Sequence, residues 1–387
     1  MTGRADVVII GGGLVGTAIA YYLSKTGKKV ILLERKSIGS GTSGLTFGLL
    51  CIQLFKYFGV VDSYLKICKT SLEMYMNLEE ELGEDFQYRK TGGMVVIKDE
   101  EDFKHKSDLV RTLQAKNVEI EILDKEQTLE IAPALNPDGI LGSSFSPIEA
   151  EINPLLLSDV FISKAKLHGA VVVSDAPVSS FSMKNGRVET IHTPKGPFSS
   201  DFVVNACGLW GSQVGKMAGL DLPLNVQRGQ VLITEAMPPF LPVAVQHIPP
   251  ALTDETGRHL VKSTEIRQMK NGNLLMGGTR EDNQTETITT YESITDITRR
   301  AADFLPAVRR ARIIRTFGGI RPIPKDGLPI LGFTEEVAGW VNALMHVGVT
   351  LAPVVGKLTA ELIDTGKTSL DITDFRMSRF GKEGTPA

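Results

Sequence analysis

The sequence predicts an α/β fold in which a mostly parallel, doubly wound unit is interrupted by an α+β unit with a mainly antiparallel sheet. Three observations carry this expectation. A β-branched run at Val7–Ile10 is followed by three spaced glycines, a helical stretch and a second apolar run at Val30–Leu33. Helix-to-strand alternation recurs near 154–173 and near the C-terminal end, whereas 226–279 reads as short strands. The length of 387 residues, 42% hydrophobic and 22% charged, suits a globular chain of two domains.

The first unit justifies itself residue by residue. Val7–Ile10 is continuously apolar, as a strand buried on both faces of a parallel sheet must be. Gly11 allows a tight turn, Gly13 lets backbone approach a pyrophosphate, and Gly16 lets helix and strand pack closely. The helix expected at roughly 14–26 directs its N–H groups and positive dipole end at the phosphates, and Gly27 ends it. Glu34 follows the second run about twenty residues after the glycines, where a carboxylate accepts from ribose hydroxyls. The unit is therefore Rossmann-like and holds a dinucleotide; these residues leave NAD and FAD both open. The next loop, "GSGTSGLTFGLL" (39–50), offers hydroxyls and backbone amides for wrapping phosphates.

Beyond it, 60–82 and 100–116 read as helices, with strand-like "GGMVVIKD", "VEIEIL" and "GSSFSP" among the segments up to 147. A helix is expected from Pro154 to His168, then a strand at Ala170–Val173, a hairpin, and a buried strand at Phe202–Asn205. "QVLITEA", "HLVKSTEI" and "NLLMGGT" are strands and 294–304 a polar helix. A turn at Glu335–Gly339 leads to "WVNALMH" and a helix over 351–364; the tail after Asp374 is expected to be loosely ordered.

Composition excludes several classes. A net charge of -3, from 42 basic and 45 acidic residues, gives no field for nucleic acid or an anionic membrane. Cys51, Cys68 and Cys207 have neither disulfide nor metal spacing and read as buried thiols; the six histidines show no ligand pattern, so no metal is expected. No secretory segment precedes Val7 and the apolar stretch 45–55 is too short to span a bilayer, which predicts a soluble cytoplasmic protein.

Four stretches together resemble the D-amino-acid oxidase-like family of FAD enzymes, within it the glycine oxidase, sarcosine oxidase beta-subunit and D-hydroxyproline or opine dehydrogenase group. They are Val7–Arg35, Gly39–Leu50, "DFVVNACGLWG" (201–211), and "GGIRPIPKDGLPILG" with "HVGVTLAPVVG". The resemblance implies a Rossmann-like FAD-binding domain (1–50, 150–225 and 315–375) interrupted by a substrate-binding α+β domain (51–149 and 226–314). It implies that Leu14 and Val15 cover the pyrophosphate and that Glu34 with Arg35 holds the adenosine end. Thr42, Ser43, Phe47, Gly48 and Leu49 would line the phosphate and flavin side, and Val178 would face the adenine. Ala206 and Gly208 would let backbone approach the cofactor. Gly319 and the run His346, Val347, Gly348, Val349 and Thr350 would skirt the flavin, with a helix N-terminus aimed at it to stabilise negative charge.

By the same resemblance Arg321 is the carboxylate-binding arginine, whose guanidinium fork suits a planar carboxylate. No cysteine stands near Arg321, so the FAD is expected to be noncovalent. Glu265 takes a position where glycine oxidases carry a tyrosine and is a candidate for a substrate ammonium or cationic group, or a solvated strand residue. His346 replaces an arginine and is a candidate substrate or flavin contact. The implied reaction is oxidation of a carboxylate-bearing amino acid or secondary amine (glycine, sarcosine, proline, hydroxyproline or an opine) by hydride transfer to flavin N5. Oxygen, an electron-accepting protein or a quinone would take the electrons, and the chain would act as a homo-oligomer or as a subunit of a hetero-oligomer. Alternatives are an FAD-dependent 2-hydroxy acid dehydrogenase, a flavin-bearing subunit of a multi-subunit amine dehydrogenase, and an NAD-dependent dehydrogenase.

Overall fold

The strand expected at Val7–Ile10 spans Gly3–Ile10 and lies inside an eight-stranded sheet of a computed structural model that describes residues 3–53, 61–250, 252–253 and 259–381. Parallel to it run Gly196–Asn205 on one side and Val30–Leu33 on the other, followed by Val171–Val173. Beyond Gly196–Asn205 come parallel Trp340–Leu344 and antiparallel Ile330–Phe333; the hairpin Ser180–Lys184/Arg187–Thr193 extends the sheet. Alternate residues of each strand feed opposite cores. Val7, Ile9 and Leu32 face the helices Leu14–Lys25, Pro154–Leu167 and Gly348–Thr365. Val8, Ile10 and Leu33 face Phe198, Trp340 and Phe380. Close approach is enforced at Gly16, where a Cβ would lie 1.9 Å from the Gly11 carbonyl oxygen.

The second sheet has eleven strands and is mainly antiparallel, with one parallel contact between Gly93–Ile97 and Ala244–His247. The helix Tyr291–Phe304 covers one face, burying Ile297, Ala301 and Phe304 against Leu232, Leu274 and Met276. On the other face Val231, Leu275 and Phe317 receive Phe47 from the glycine-rich loop, so the two sheets meet through that side chain.

Several boundaries differ from expectation. The strand Ile313–Pro324, expected within the dinucleotide unit, pairs along nearly its whole length with Leu224–Ala236 in the second sheet. Its apolar residues give no hint of which sheet they join; only the register does. The last long helix begins at Gly348, three residues before 351, with Val347 as cap in a left-handed conformation (φ 30°). Short helices at Lys125–Ile131 and Gly211–Met217 carry too few turns to show a period. Helices expected over 60–82 and 100–116 span Asp62–Leu82 and Glu100–Gln114; position 60 and part of the 45–55 stretch lie outside the described residues. The tail is not loose as far as Phe380: Phe375 and Phe380 are fully buried anchors. Among the described residues no helix is long and apolar enough to cross a membrane.

Candidate active site

A cleft of about 2050 Å³, including its open mouth, runs between the two sheets. One wall is the first βα turn. Gly11 takes φ +110°, and a side chain there would meet the Ala206 carbonyl at 2.5 Å. Gly13, Leu14 and Val15 line the cleft at the helix N-terminus, and Ser43 Oγ accepts from the Leu14 N–H at 2.9 Å. Thr42 Oγ1 donates to the Ile320 carbonyl at 2.8 Å, tying this loop to the second sheet.

Glu34 and Arg35 line one end, with Val178, Ala206 and Gly208 beside them. Glu34 accepts backbone N–H bonds from Gly12 at 2.7 Å and Lys36 at 2.8 Å, which orients the carboxylate at the end of its strand. The Arg35 guanidinium lies 3.4 Å over the Trp210 ring, an aromatic wall that the 201–211 motif did not by itself indicate. Phe47, Leu49 and Gly319 line the middle, and His346, Val347, Gly348 and Val349 bring in the N-terminus of the second long helix. Two helix N-termini thus enter one cleft, each able to stabilise an anion.

Three of the expected cofactor residues do not line it. Gly16 serves the helix–strand contact, as its place in the glycine pattern implied. Gly48, at φ +71°, is occupied by backbone packing, with the Ile152 carbonyl 2.5 Å from where a Cβ would sit. Thr350 is buried behind the helix turn, where its Oγ1 accepts from the Cys51 N–H at 3.2 Å and its carbonyl accepts from Ser71 Oγ at 2.6 Å.

The opposite end is built by the second sheet. Arg321 and Gly319 alternate onto the cleft face of Ile313–Pro324. The Arg321 guanidinium lies over Gly229, where a Cβ would come within 2.3 Å of Nη1, and Nη1 donates to the Thr279 carbonyl at 3.4 Å. Glu265 and Gln246 are direct cross-strand partners, which brings both to this end. Glu265 accepts from Ser263 Oγ at 2.8 Å and from Arg280 Nη2 at 3.1 Å. Burial alone would raise the Glu265 carboxyl, but the Arg280 and Arg321 charges overcome it and hold it below the usual range. His346 is pushed down to about 3 by desolvation, reinforced by the Arg321 and Arg280 charges, so it is neutral at ordinary pH.

Arg280, Gln246 and Cys51 also stand at this site and were not expected there. Arg280 follows the "NLLMGGT" strand and had a visible signal, a charge beside two glycines; Gln246 and Cys51 had none. Cys51 and Cys207 line the cleft, and burial raises both thiols well above their ordinary value. Among the described residues no cluster of three or more His, Cys, Asp or Glu could hold a metal ion.

A βαβ phosphate cradle, two converging helix N-termini and a guanidinium across the same cleft define a dinucleotide-dependent oxidoreductase. The chain belongs to the FAD dependent oxidoreductase family (DAO), whose pattern matches residues 6–362. It is 28% identical to glycine oxidase of Geobacillus kaustophilus, covering 99% of this chain and 100% of that protein. The crystal structure of glycine oxidase from the same organism superposes with a TM-score of 0.87 over 97% of this chain and 99% of the other, at 26% identity. L-proline dehydrogenase from P. horikoshii gives 0.86 at 26% identity, covering 98% of each chain. Rat mitochondrial dimethylglycine dehydrogenase is 29% identical over 98% of this chain, which spans 45% of its length. An opine oxidase subunit of Rhizobium meliloti is 28% identical, covering 97% of this chain and 98% of that one.

Proposed function

We propose that the protein oxidises a carboxylate-bearing amino acid or secondary amine to an imine with FAD as electron acceptor. The observation that carries this reading is the placement of Arg321 in the cleft that both helix N-termini enter. Gly11, Gly13 and the Leu14 helix would hold the pyrophosphate, Glu34 and Arg35 the adenosine end, and Val347–Val349 the flavin side. Bound FAD supplies a two-electron acceptor for the hydride leaving the α-carbon. Arg321 binds and orients the substrate carboxylate, fixing the α-carbon in position. His346, held neutral, leaves the positive charge at this end to the Arg321 and Arg280 guanidiniums, which disfavour an ammonium and so favour the deprotonated amine. Glu265, already engaged by Ser263 and Arg280, serves the site's electrostatics in this reading rather than capturing a substrate ammonium. The imine then hydrolyses in water.

The cofactor is noncovalent in this reading: a thiolate is the reactive form of cysteine, and both cleft thiols are held protonated. The eight-stranded sheet serves the cofactor and the eleven-stranded sheet the substrate, with Ile313–Pro324 contributing from the second to both. Three free cysteines fit a reducing cytoplasmic location. Oxygen or a partner carrier accepts the electrons, and association with a further subunit is in keeping with the opine oxidase relative.

The test is to purify the chain, record its visible spectrum, and mix it anaerobically with glycine, sarcosine, proline, hydroxyproline, opines and 2-hydroxy acids. Bleaching of bound flavin by the amines is the expected result. A chain that takes up no flavin, or one bleached by hydroxy acids alone, overturns the reading.

A further inference from the structure

The helix Gly348–Thr365, whose N-terminus enters the cleft, carries Pro353 in its interior. In a regular α-helix the carbonyl of residue 349 accepts from the N–H of residue 353. Proline has no N–H, and its ring crowds that same carbonyl. The phenol of Tyr75 stands in: its hydroxyl donates to the Val349 carbonyl at 2.5 Å. Tyr75 comes from the helix Asp62–Leu82 and is fully buried. Its ring lies parallel to that of Tyr88, with centroids 6.4 Å apart, and edge-on to Phe86. Burial raises the phenol well above its ordinary value, so the group remains a donor at ordinary pH. One turn earlier on the same face, Ser71 donates to the Thr350 carbonyl at 2.6 Å. The helical donor for that carbonyl is the N–H of Val354, so the Ser71 bond is an addition and the Tyr75 bond a replacement.

We propose that Tyr75 is a positioning residue for the flavin: by replacing the N–H missing at Pro353 it fixes the peptide between Val349 and Thr350 and so aims the first turn of the helix at the cofactor. The inference rests on the reading above that sets the flavin against Val347–Val349. The carbonyl and N–H of a trans peptide point in opposite directions, so holding the Val349 oxygen sets the direction of the Thr350 N–H. That N–H is among the first of the helix, which have no partner inside it and stabilise a nearby anion. The turn needs such a hold, because Val347 caps it at φ 30°, a left-handed conformation that is costly for a β-branched residue. Tyr75 does not line the cleft, so it acts through the helix. Reduced flavin carries more negative charge than oxidised flavin, and a well-aimed turn therefore favours the reduced form and raises the midpoint potential.

The midpoint potential of the bound flavin, measured by chemical reduction against a reference dye, reads this without any substrate. Tyr75→Phe keeps the ring and removes the donor. It should lower the preference for reduced over oxidised flavin about three- to tenfold, a fall of about 15–30 mV for a two-electron couple. Pro353→Ala supplies the missing N–H, so in that background Tyr75→Phe should lower the potential less than half as far. A phenol that merely fills space predicts the same change, or none, in both backgrounds. A potential that Tyr75→Phe does not lower, or a fall at least half as large in the Pro353→Ala background, overturns the proposal. If Tyr75→Phe fails to retain flavin, its recovery in Tyr75→Phe/Pro353→Ala supports the replacement, and continued loss overturns it. The amine-oxidation reading fails separately, through flavin that no amine reduces: potentials in the stated order would still support the part given to Tyr75.

Discussion

Arg321 lines the cleft, and it is where the functional reading is most exposed. Its motif placed it beside the flavin by resemblance, and the fold sets it in the cleft over Gly229. Arg321→Ala should lower kcat/KM for a carboxylate-bearing amine by roughly 30- to 1000-fold, equivalent to about 2–4 kcal/mol, while flavin content stays unchanged. Steady-state kinetics beside the flavin-to-protein absorbance ratio check this, and an equal loss of both would count against the role. Gly229→Ala should act in the same direction through displacement, because a methyl group there crowds both terminal nitrogens (2.3 and 2.6 Å). A loss of roughly ten- to a hundredfold in kcat/KM is expected, again with flavin retained. Glu265 and His346 were less legible. Which charge faces them depends on Arg280 and Arg321, which come from different strands, and no local pattern records that meeting.

Elements were legible where their period was long or their punctuation strong. Leu14–Lys25, Val30–Leu33 and Pro154–Leu167 fall within a residue or so of expectation because glycine, proline and apolar runs bound them. The start of Gly348–Thr365 was not, because Val347 caps it through a left-handed backbone that a β-branched residue seldom adopts. The sheet that Ile313–Pro324 joins was not legible for a different reason: strand partnership is nonlocal, and a strand's own residues do not name its sheet. Gly16 is the tightest contact in the cofactor unit, and its neighbour is backbone that cannot turn aside. Gly16→Ala should therefore separate helix from strand, destabilising the protein by roughly 1–3 kcal/mol or more and reducing flavin content together with Tm. Thermal unfolding and the visible spectrum report both; retention of full flavin at an unchanged Tm would refute the packing role.

Across the whole molecule, the cleft is walled by both sheets, so its geometry depends also on groups that do not line it. Glu149 is one such group, accepting from the N–H groups of Ile52 at 2.7 Å and Gln53 at 2.9 Å, against Gly93. Burial pushes its carboxyl up to about 7 from 4.5. The folded chain thus holds a proton that the unfolded chain releases above 4.5, so this group's stabilising contribution is fully present below that pH and lost as pH rises through about 7. Glu149→Gln keeps an acceptor for both N–H groups without a charge to desolvate. It should raise Tm at pH 8 and leave it nearly unaltered at pH 4.5, a difference on the order of 3 kcal/mol at most. Matched thermal scans at the two pH values check the sign. The composition adds an optical consequence. Of the chain's two tryptophans, Trp340 is sealed in the core while Trp210 stands in the cleft wall under Arg35. Indole emission overlaps flavin absorption, so loading the cleft should dim the protein's ultraviolet fluorescence, and Trp210→Phe should remove the share of that change that Trp210 carries. The chain carries its own gauge of occupancy.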